Sequence, residues 1–260
     1  MNSPIFAGTA EYYAQYRPAY PSRMLTDMVE LSVGTHGRRL VDLGCGTGEV
    51  ALPLSAVFDT VTAIDIDPDM VALAERKAAE RQIRNVAWTV GAAESLDLPA
   101  GSADLVVAGS SFHWMDRELL AGRVRAWLTG AGVFALLGGG SDVWEKRAPW
   151  HTVAVQTIRE YVGERRRAGN QSFVAAGRHD DYLERAGFVV ESRQYNAEKD
   201  WTADEIVGYL YSTSYCNPMV LGDRKADFEA TLRDRLRALS AAGTHPETLA
   251  FECMLARPKG

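Results

Sequence analysis

Apolar and polar positions change period repeatedly along this chain. Short runs rich in Val, Ile and Leu read as buried strands, and longer stretches with apolar residues three and four apart read as helices. Residues 22–34 place Met24, Leu25, Met28, Val29 and Leu31 on one helical stripe. Strand-like runs then fall at 39–43, 60–65, 86–90, 105–108 and 132–137, with helix-like stretches at 49–58, 68–81 and 117–128. Asp67 suits an N-cap and Pro68 the first helical position. The alternation stops at Gly138–Asp142, and residues 143–178 form a long aromatic and charged segment. Asp180–Ala186 resumes as a helix and Phe188–Glu191 as a strand. Thr202 and Glu205 have capping-box spacing, so a helix starts there and runs to about residue 214. A last helix spans about Asp223–Leu239, and Leu249–Leu255 alternates as a final strand, antiparallel beside the sixth. Strands alternating with helices imply βαβ units with right-handed crossovers and helices on both faces of the sheet.

The most specific segment is Val41-Asp42-Leu43-Gly44-Cys45-Gly46-Thr47-Gly48-Glu49-Val50. An apolar run, an acid, alternate glycines and a helix start describe a strand turning sharply under a bound nucleotide. The spacing G-x-G-x-G differs from the G-x-G-x-x-G of dinucleotide folds, whose pyrophosphate wants positive potential at the helix N-terminus. Asp42 and Glu49 flank the glycines with negative charge, which suits a cationic ligand better. Asp65 ends the second strand about 20 residues further on, where a carboxylate binds ribose hydroxyls. Ile66 follows it and offers a flat apolar face to an adenine ring.

With these pieces in place the chain resembles the class I S-adenosylmethionine-dependent methyltransferases. The matching segments are VDLGCGTGEV, AIDIDPDM, VGAAESLDLP, SADLVVAGSSFHWMD and YLERAGF, in the family's order over most of residues 10–200. The opening YYAQYRPAYP is similar to the subgroup of trans-aconitate-type and ubiquinone-type methyltransferases. The resemblance implies an α/β fold: a Rossmann-like seven-stranded sheet, parallel with one antiparallel edge strand, helices on both faces, and a mostly helical substrate cap. It implies a single domain with a cofactor-binding core at about 35–140 and a cap drawn from 5–21, 141–178 and 200–245.

It also implies roles for particular residues. S-Adenosylmethionine, leaving as S-adenosylhomocysteine, would be held by Asp42, Gly44, Cys45, Gly46, Thr47, Gly48, Asp65, Ile66, Ala93, Glu94 and Ser110, with Tyr13 and Arg17 closing over it. Many relatives carry an Asp where this chain has Ala92, so the Ala93 backbone or the Glu94 side chain would serve the adenine instead. Asp42 could equally cap backbone amides, and Glu94 could be a solvated turn acid. His113 is the candidate base and Tyr13 a second catalytic candidate, though packing or hydrogen bonding is the preferred reading of His113, and the tyrosines could equally form a structural latch. Phe112 and Trp114 could present π faces to a cation. Tyr16, Phe112, Trp114, Trp144, Tyr211 and Tyr215 are the substrate-binding candidates, Tyr211 and Tyr215 by helical spacing that puts them on one face. Trp150, His151 and Phe173 are further pocket candidates.

Composition narrows the choice. The 260 residues suffice for one large α/β domain, 47% hydrophobic and 24% charged. A net charge of −6 is a poor match to a nucleic-acid backbone, and Arg165–Arg167 is too short a basic run to change that. Cys45, Cys216 and Cys253 have no pairing spacing and read as reduced thiols in a cytoplasmic protein. No metal-ligand spacing occurs among the five histidines, and no run approaches a membrane span. The expected partner is therefore a small-molecule acceptor, with no nucleic acid, membrane or metal; a homo-oligomer is compatible with the aromatic insertion.

Methyl transfer from a sulfonium is an in-line displacement in which the protein aligns and desolvates the reactants. A natural-product-type metabolite is the favoured acceptor. Nitrogen is slightly preferred over oxygen because no convincing base for a hydroxyl is legible. The alternatives are an O- or C-methyltransferase, a hydride-transferring oxidoreductase, and a non-catalytic protein that binds S-adenosylmethionine.

Overall fold

The computed structural model describes residues 6–32, 38–168, 171–172 and 177–259. Its strands are β1 (Arg39–Leu43), β2 (Thr60–Asp65), β3 (Val86–Val90), β4 (Ala103–Gly109), β5 (Leu128–Gly140), β6 (Phe188–Thr202) and β7 (Thr244–Pro258). They form one sheet in the order β3-β2-β1-β4-β5-β7-β6. The first five pair in parallel, Val41 lying opposite both Thr62 and Val106. The antiparallel pair, β7 and β6, lies at one end of the sheet with β6 as the edge strand, and β7 is the antiparallel neighbour of β6 that the sequence leads one to expect. Reversal of strand order beside β1 creates a switch point at the C-terminal ends of β1 and β4, where open α/β sheets bind ligands.

The helices are α1 (Ala10–Tyr16), α2 (Ser22–Leu31), α3 (Ala51–Leu54), α4 (Pro68–Glu80), α5 (Arg117–Trp127), α6 (Pro149–Val162), α7 (His179–Arg185), α8 (Ala203–Tyr211), α9 (Pro218–Leu221) and α10 (Lys225–Leu239). Asp67 caps α4, accepting from the Asp69 N–H at 2.9 Å with Pro68 at N1. Thr202 and Glu205 close a capping box on α8. Three helices escape the sequence pattern. α1 and α9 are short, and α6 lies in the aromatic insertion, where Trp150, His151 and Thr157 share its buried face with Ala154, Val155 and Ile158. That polar and aromatic mixture hides the apolar stripe.

The sixth strand is also far longer than its apolar start. From Ser192 to Lys199 its mostly polar residues alternate exposed with half-buried, so hydrophobicity does not mark them. Expected helix 49–58 is in fact one turn, α3, because residues 46–50 are spent on the glycine turn.

The chain divides into two compact units. One comprises Ala19–Gly139, Ala176–Tyr195 and Phe251–Gly260; the other comprises Met1–Pro18, Gly140–Ala175 and Asn196–Ala250. The first holds a core in which Leu43, Val106, Phe112, Phe134, Leu183 and Phe188 are buried together. In the second, Trp150, Trp201 and Tyr209 pack ring against ring with centroids 5.3–6.3 Å apart. Burying such large rings adds to that unit's hydrophobic stabilisation.

Candidate active site

The glycine loop leaves β1 and is pinned at once to β2. The N–H groups of Gly44 and Cys45 both donate to the Ile64 carbonyl, at 2.8 and 3.0 Å. Gly44 has φ +69°, and a Cβ there would stand 2.5 Å from Ser111 Cβ. The loop therefore needs glycine at this position both for its left-handed backbone and for the close approach of the β4 connection. Ser111 holds that approach by donating to the Leu43 carbonyl at 2.6 Å.

Asp65 ends β2 beside the loop. One carboxylate oxygen accepts the Gly46 N–H at 2.8 Å and the other the Asp67 N–H at 2.9 Å. Each oxygen retains acceptor capacity, so two further donors can be received. Burial raises the carboxyl above its ordinary value against the pull of these two N–H groups. Ile66, next in sequence, is 66% exposed, an uncommon state for isoleucine at the end of a buried strand.

Asp42 is 1% exposed and accepts the Ala51 N–H at 3.1 Å, so it caps the start of α3. Burial pushes its carboxyl up to about 8, opposed by the Ala51 bond and reinforced by Glu49 and Asp65. Glu49 does not act as a free anion beside the loop, because Lys77 Nζ lies 3.1 Å from it and 2.7 Å from the Thr47 carbonyl. Thr47 also donates its hydroxyl to Glu49. Asp42, raised to about 8, is thus largely protonated at neutral pH, and Cys45, whose thiol burial raises well above its ordinary value, is no nucleophile.

After β3, Ala93 is buried in a short 3₁₀ turn, Ala93–Ser95. The Glu94 carboxylate accepts the Asp116 N–H at 2.7 Å, which ties this turn to the start of α5. After β4, Ser110 adopts φ +52°, rare for a residue with a side chain, and donates its N–H to the Leu137 carbonyl at 2.8 Å. Tyr20 is seated over it, with 3.3 Å between the two hydroxyls. Non-glycine residues forced into this backbone region cluster at functional sites.

Phe112 is buried against Phe134, with ring centroids 5.4 Å apart. His113 lies tilted against the exposed Trp114, with ring centroids 4.6 Å apart. A cavity of about 250 Å³ opens at the C-terminal ends of β4 and β5. Phe112, His113 and Ser110 line it, together with His179 and Glu252, which sequence reasoning missed. Neither carries a local signal: one starts a short polar helix and the other alternates on a strand.

The other unit holds the remaining candidates. Arg17 donates to the Ser212 hydroxyl at 2.9 Å and carbonyl at 3.2 Å, and its guanidinium lies 5.0 Å from the Tyr13 ring and 5.2 Å from that of Tyr209. Tyr16 lies against α8 at Gly208, where any Cβ would overlap its ring. Tyr211 and Tyr215 do not share a helix face. α8 stops at Tyr211 because the Ser212 and Thr213 hydroxyls take the Tyr209 and Leu210 carbonyls at 2.6 Å. Tyr211 then donates to Glu229 at 2.9 Å, whereas Tyr215 meets Trp144, centroids 5.7 Å apart. The Arg166 guanidinium is within 6 Å of both of those rings. Trp150 and His151 are fully buried and belong to the core, not to a pocket; Phe173 lies outside the described residues.

His151 meets Ser141 and Glu247, each 3.1 Å from Nε2. A hydrolytic trio needs the acid on the opposite ring nitrogen from the nucleophile. Here both share Nε2, all three are buried, and Glu247 also accepts the Trp201 indole at 2.8 Å. This is a polar clamp inside the unit. Among the described residues no group of three or more His, Cys, Asp or Glu could hold a metal, and no helix is long and apolar enough to cross a membrane.

Residues 40–132 match the family model described as a methyltransferase domain. The "Probable S-adenosylmethionine-dependent methyltransferase CRG1" of Saccharomyces cerevisiae is 30% identical over 48% of this chain, an alignment that spans only 43% of that relative. Nocamycin O-methyltransferase of Saccharothrix syringae is 29% identical over 94% of this chain and 93% of its own length. The YcgJ protein of Bacillus subtilis shares the fold, with a TM-score of 0.59, 17% identity and coverage of 92% of this chain and all of that one. Taken with the glycine turn on β1 and the carboxylate closing β2, these matches support a class I S-adenosylmethionine-dependent methyltransferase.

Proposed function

We propose that this protein transfers a methyl group from S-adenosylmethionine to a small-molecule acceptor of natural-product type. The observation that carries this reading is Asp65, whose two oxygens are each fixed by one backbone N–H and each keep room for a ribose hydroxyl. Exposed Ile66 beside it suits an adenine face, and buried Asp42 suits an ammonium, whose charge would draw its proton off. Gly44, Cys45, Gly46, Thr47 and Gly48 would line the methionine moiety. Ala93, Glu94 and Ser110 would border the rest, and Tyr13 and Arg17 are the proposed cover. When bound, the cofactor supplies an activated methyl group; the protein's own work is to align, desolvate and, for a hydroxyl acceptor, receive a proton.

Relatedness along nearly the whole chain to a nocamycin O-methyltransferase supports a compact metabolite as acceptor. Tyr16, Phe112, Trp114, Trp144, Tyr211 and Tyr215 remain the proposed acceptor contacts, with Trp144 and Tyr215 the pair the fold brings together. His113 and Tyr13 are the proposed catalytic side chains; the position of His113 in the cavity wall supports its role.

Calorimetric titration with S-adenosylmethionine, S-adenosylhomocysteine and NADH tests the proposal. Binding of the first two, lost in Asp65→Ala, supports it. Binding of NADH alone sinks it in favour of hydride transfer. Binding without turnover across amine and hydroxyl acceptors, followed by mass spectrometry, points to the non-catalytic alternative.

A further inference from the structure

We propose that Lys77 is a positioning residue of the cofactor site. It fixes the glycine loop through Thr47 and sets, through Glu49, how strongly the site distinguishes the cationic cofactor from its neutral product. This rests on the methyl-transfer reading above and deepens it, because it assigns cofactor selectivity to a residue outside the loop.

Lys77 lies near the C-terminal end of α4, three residues after Ala74 and four after Leu73, so helical spacing puts it beside that helix's buried positions. Lysine is seldom found there unless it is paired, and this side chain is only 17% exposed. Its ammonium has three donors and meets three acceptors. Nζ lies 2.7 Å from the Thr47 carbonyl, 3.4 Å from the Thr47 hydroxyl and 3.1 Å from a Glu49 carboxylate oxygen. Thr47 in turn donates its hydroxyl to Glu49, which closes the group. Hydrogen bonds from a charged donor are roughly twice as strong as neutral ones.

These contacts complete a hold on the loop from a single strand and the helix that follows it. Asp65, ending β2, accepts the Gly46 N–H at 2.8 Å. Lys77, on α4, donates to the carbonyl of the next residue, Thr47. The loop is thus fixed at two consecutive residues, one through its donor and the other through its acceptor. A loop ordered before its ligand arrives loses less freedom on binding.

The same pair sets the charge beside the loop. S-Adenosylmethionine and S-adenosylhomocysteine differ by one methyl group and one positive charge, that of the sulfonium. An uncompensated charge near the loop therefore acts differently on the two, and it does so through space, without contact. Lys77 and Glu49 together carry no net charge. Loss of the lysine leaves a carboxylate that favours the cation; loss of the carboxylate leaves an ammonium that disfavours it. A residue that only stiffened the loop would change both affinities by the same factor.

The test is calorimetric titration of the full chain with S-adenosylmethionine and S-adenosylhomocysteine, read as the ratio of the two affinities. Lys77→Met should weaken both ligands, the product by about tenfold, the worth of one charged hydrogen bond. The cofactor should weaken less, so the ratio moves about threefold in its favour, the size of a one-charge interaction screened by solvent. Glu49→Gln should move the ratio the other way. The double variant should return it to the wild-type value while both ligands stay weakened. Lys77→Arg keeps the charge and should keep the wild-type ratio. The proposal is overturned if Lys77→Met weakens both ligands equally or neither, or if the double variant keeps the ratio of either single one. Should Lys77→Met fail to fold, Glu49→Gln decides alone: a ratio shifted against the cofactor supports the proposal, and an unmoved one overturns it. If wild type binds neither ligand, the methyltransferase reading itself fails. If wild type binds both and the ratio stays fixed across the variants, only the role of Lys77 fails.

Discussion

Gly46 and Asp65 are joined by a 2.8 Å bond from the backbone N–H of the first to a carboxylate oxygen of the second. The bond links the middle of the glycine loop to the end of the neighbouring strand, 19 residues further along. It fixes the direction of the carboxylate before any ligand arrives, so little orientation remains to be supplied on binding.

Asp65→Ala should therefore lose more than two ligand hydrogen bonds, because the Gly46 and Asp67 N–H groups lose their acceptor as well. Charged hydrogen bonds are worth about 1.5–3 kcal/mol each. Affinity for S-adenosylmethionine should fall by at least about 100-fold in calorimetry, with Asp65→Asn retaining an intermediate value. Equal affinity in Asp65→Ala would remove this residue from the site.

Gly44→Ala should destabilise the fold through both backbone and packing. A left-handed backbone costs an alanine about 1–2 kcal/mol. The new methyl group would also press on Ser111 Cβ at 2.5 Å, adding about 1–3 kcal/mol. Gly101→Ala is the control: its φ is +66°, yet the space around it is open, so only the backbone cost applies. Urea denaturation of the two variants should separate these contributions; equal losses would mean that the Ser111 contact relaxes freely.

Asp42 makes stability depend on pH. Its carboxyl is raised from 3.8 to about 8 in the fold, so the folded chain holds this proton more tightly than the unfolded one. The contribution is fully present below pH 3.8 and is lost as pH rises towards 8. Within that window each step of one pH unit removes about 1.4 kcal/mol. Asp42→Asn keeps an acceptor for the Ala51 N–H and removes the ionisation. It should be the more stable protein at alkaline pH, with the two curves converging in acid. A wild-type curve as flat as the variant's would show that Asp42 does not titrate in this window.

The clamp of Ser141, His151 and Glu247 should behave as a structural unit. Glu247→Ala strands His151, Ser141 and the Trp201 indole in a buried site. Removing one member of such a buried polar group costs about 3–5 kcal/mol. Glu247→Gln should cost less, since its amide oxygen can still accept from Trp201. Thermal unfolding would show the order, and a loss below about 1 kcal/mol in Glu247→Ala would mean that water replaces the carboxylate.

The chemistry of the first unit was legible because it is written locally. Alternate glycines, an acid at the end of a strand, and Asp67-Pro68 at a helix start each depend on neighbours a few residues away. Backbone geometry and capping act at that range, so the sheet, its crossovers and the resemblance follow from the chain itself. The second unit was less legible for the opposite reason. α6 hides behind buried Trp150 and His151, and the polar half of β6 acquires its partners only through pairing. Tyr211 and Tyr215 share a helical spacing, but two hydroxyls end α8 between them and send the rings to different neighbours. The same holds for the cavity. His179 meets His113 and Glu252 through three separate elements, and Lys77 reaches Glu49 from another helix. Sequence by itself determines what each residue can donate, accept or bury; tertiary structure decides which partner it meets, because charge pairing and burial act through space and carry no local period.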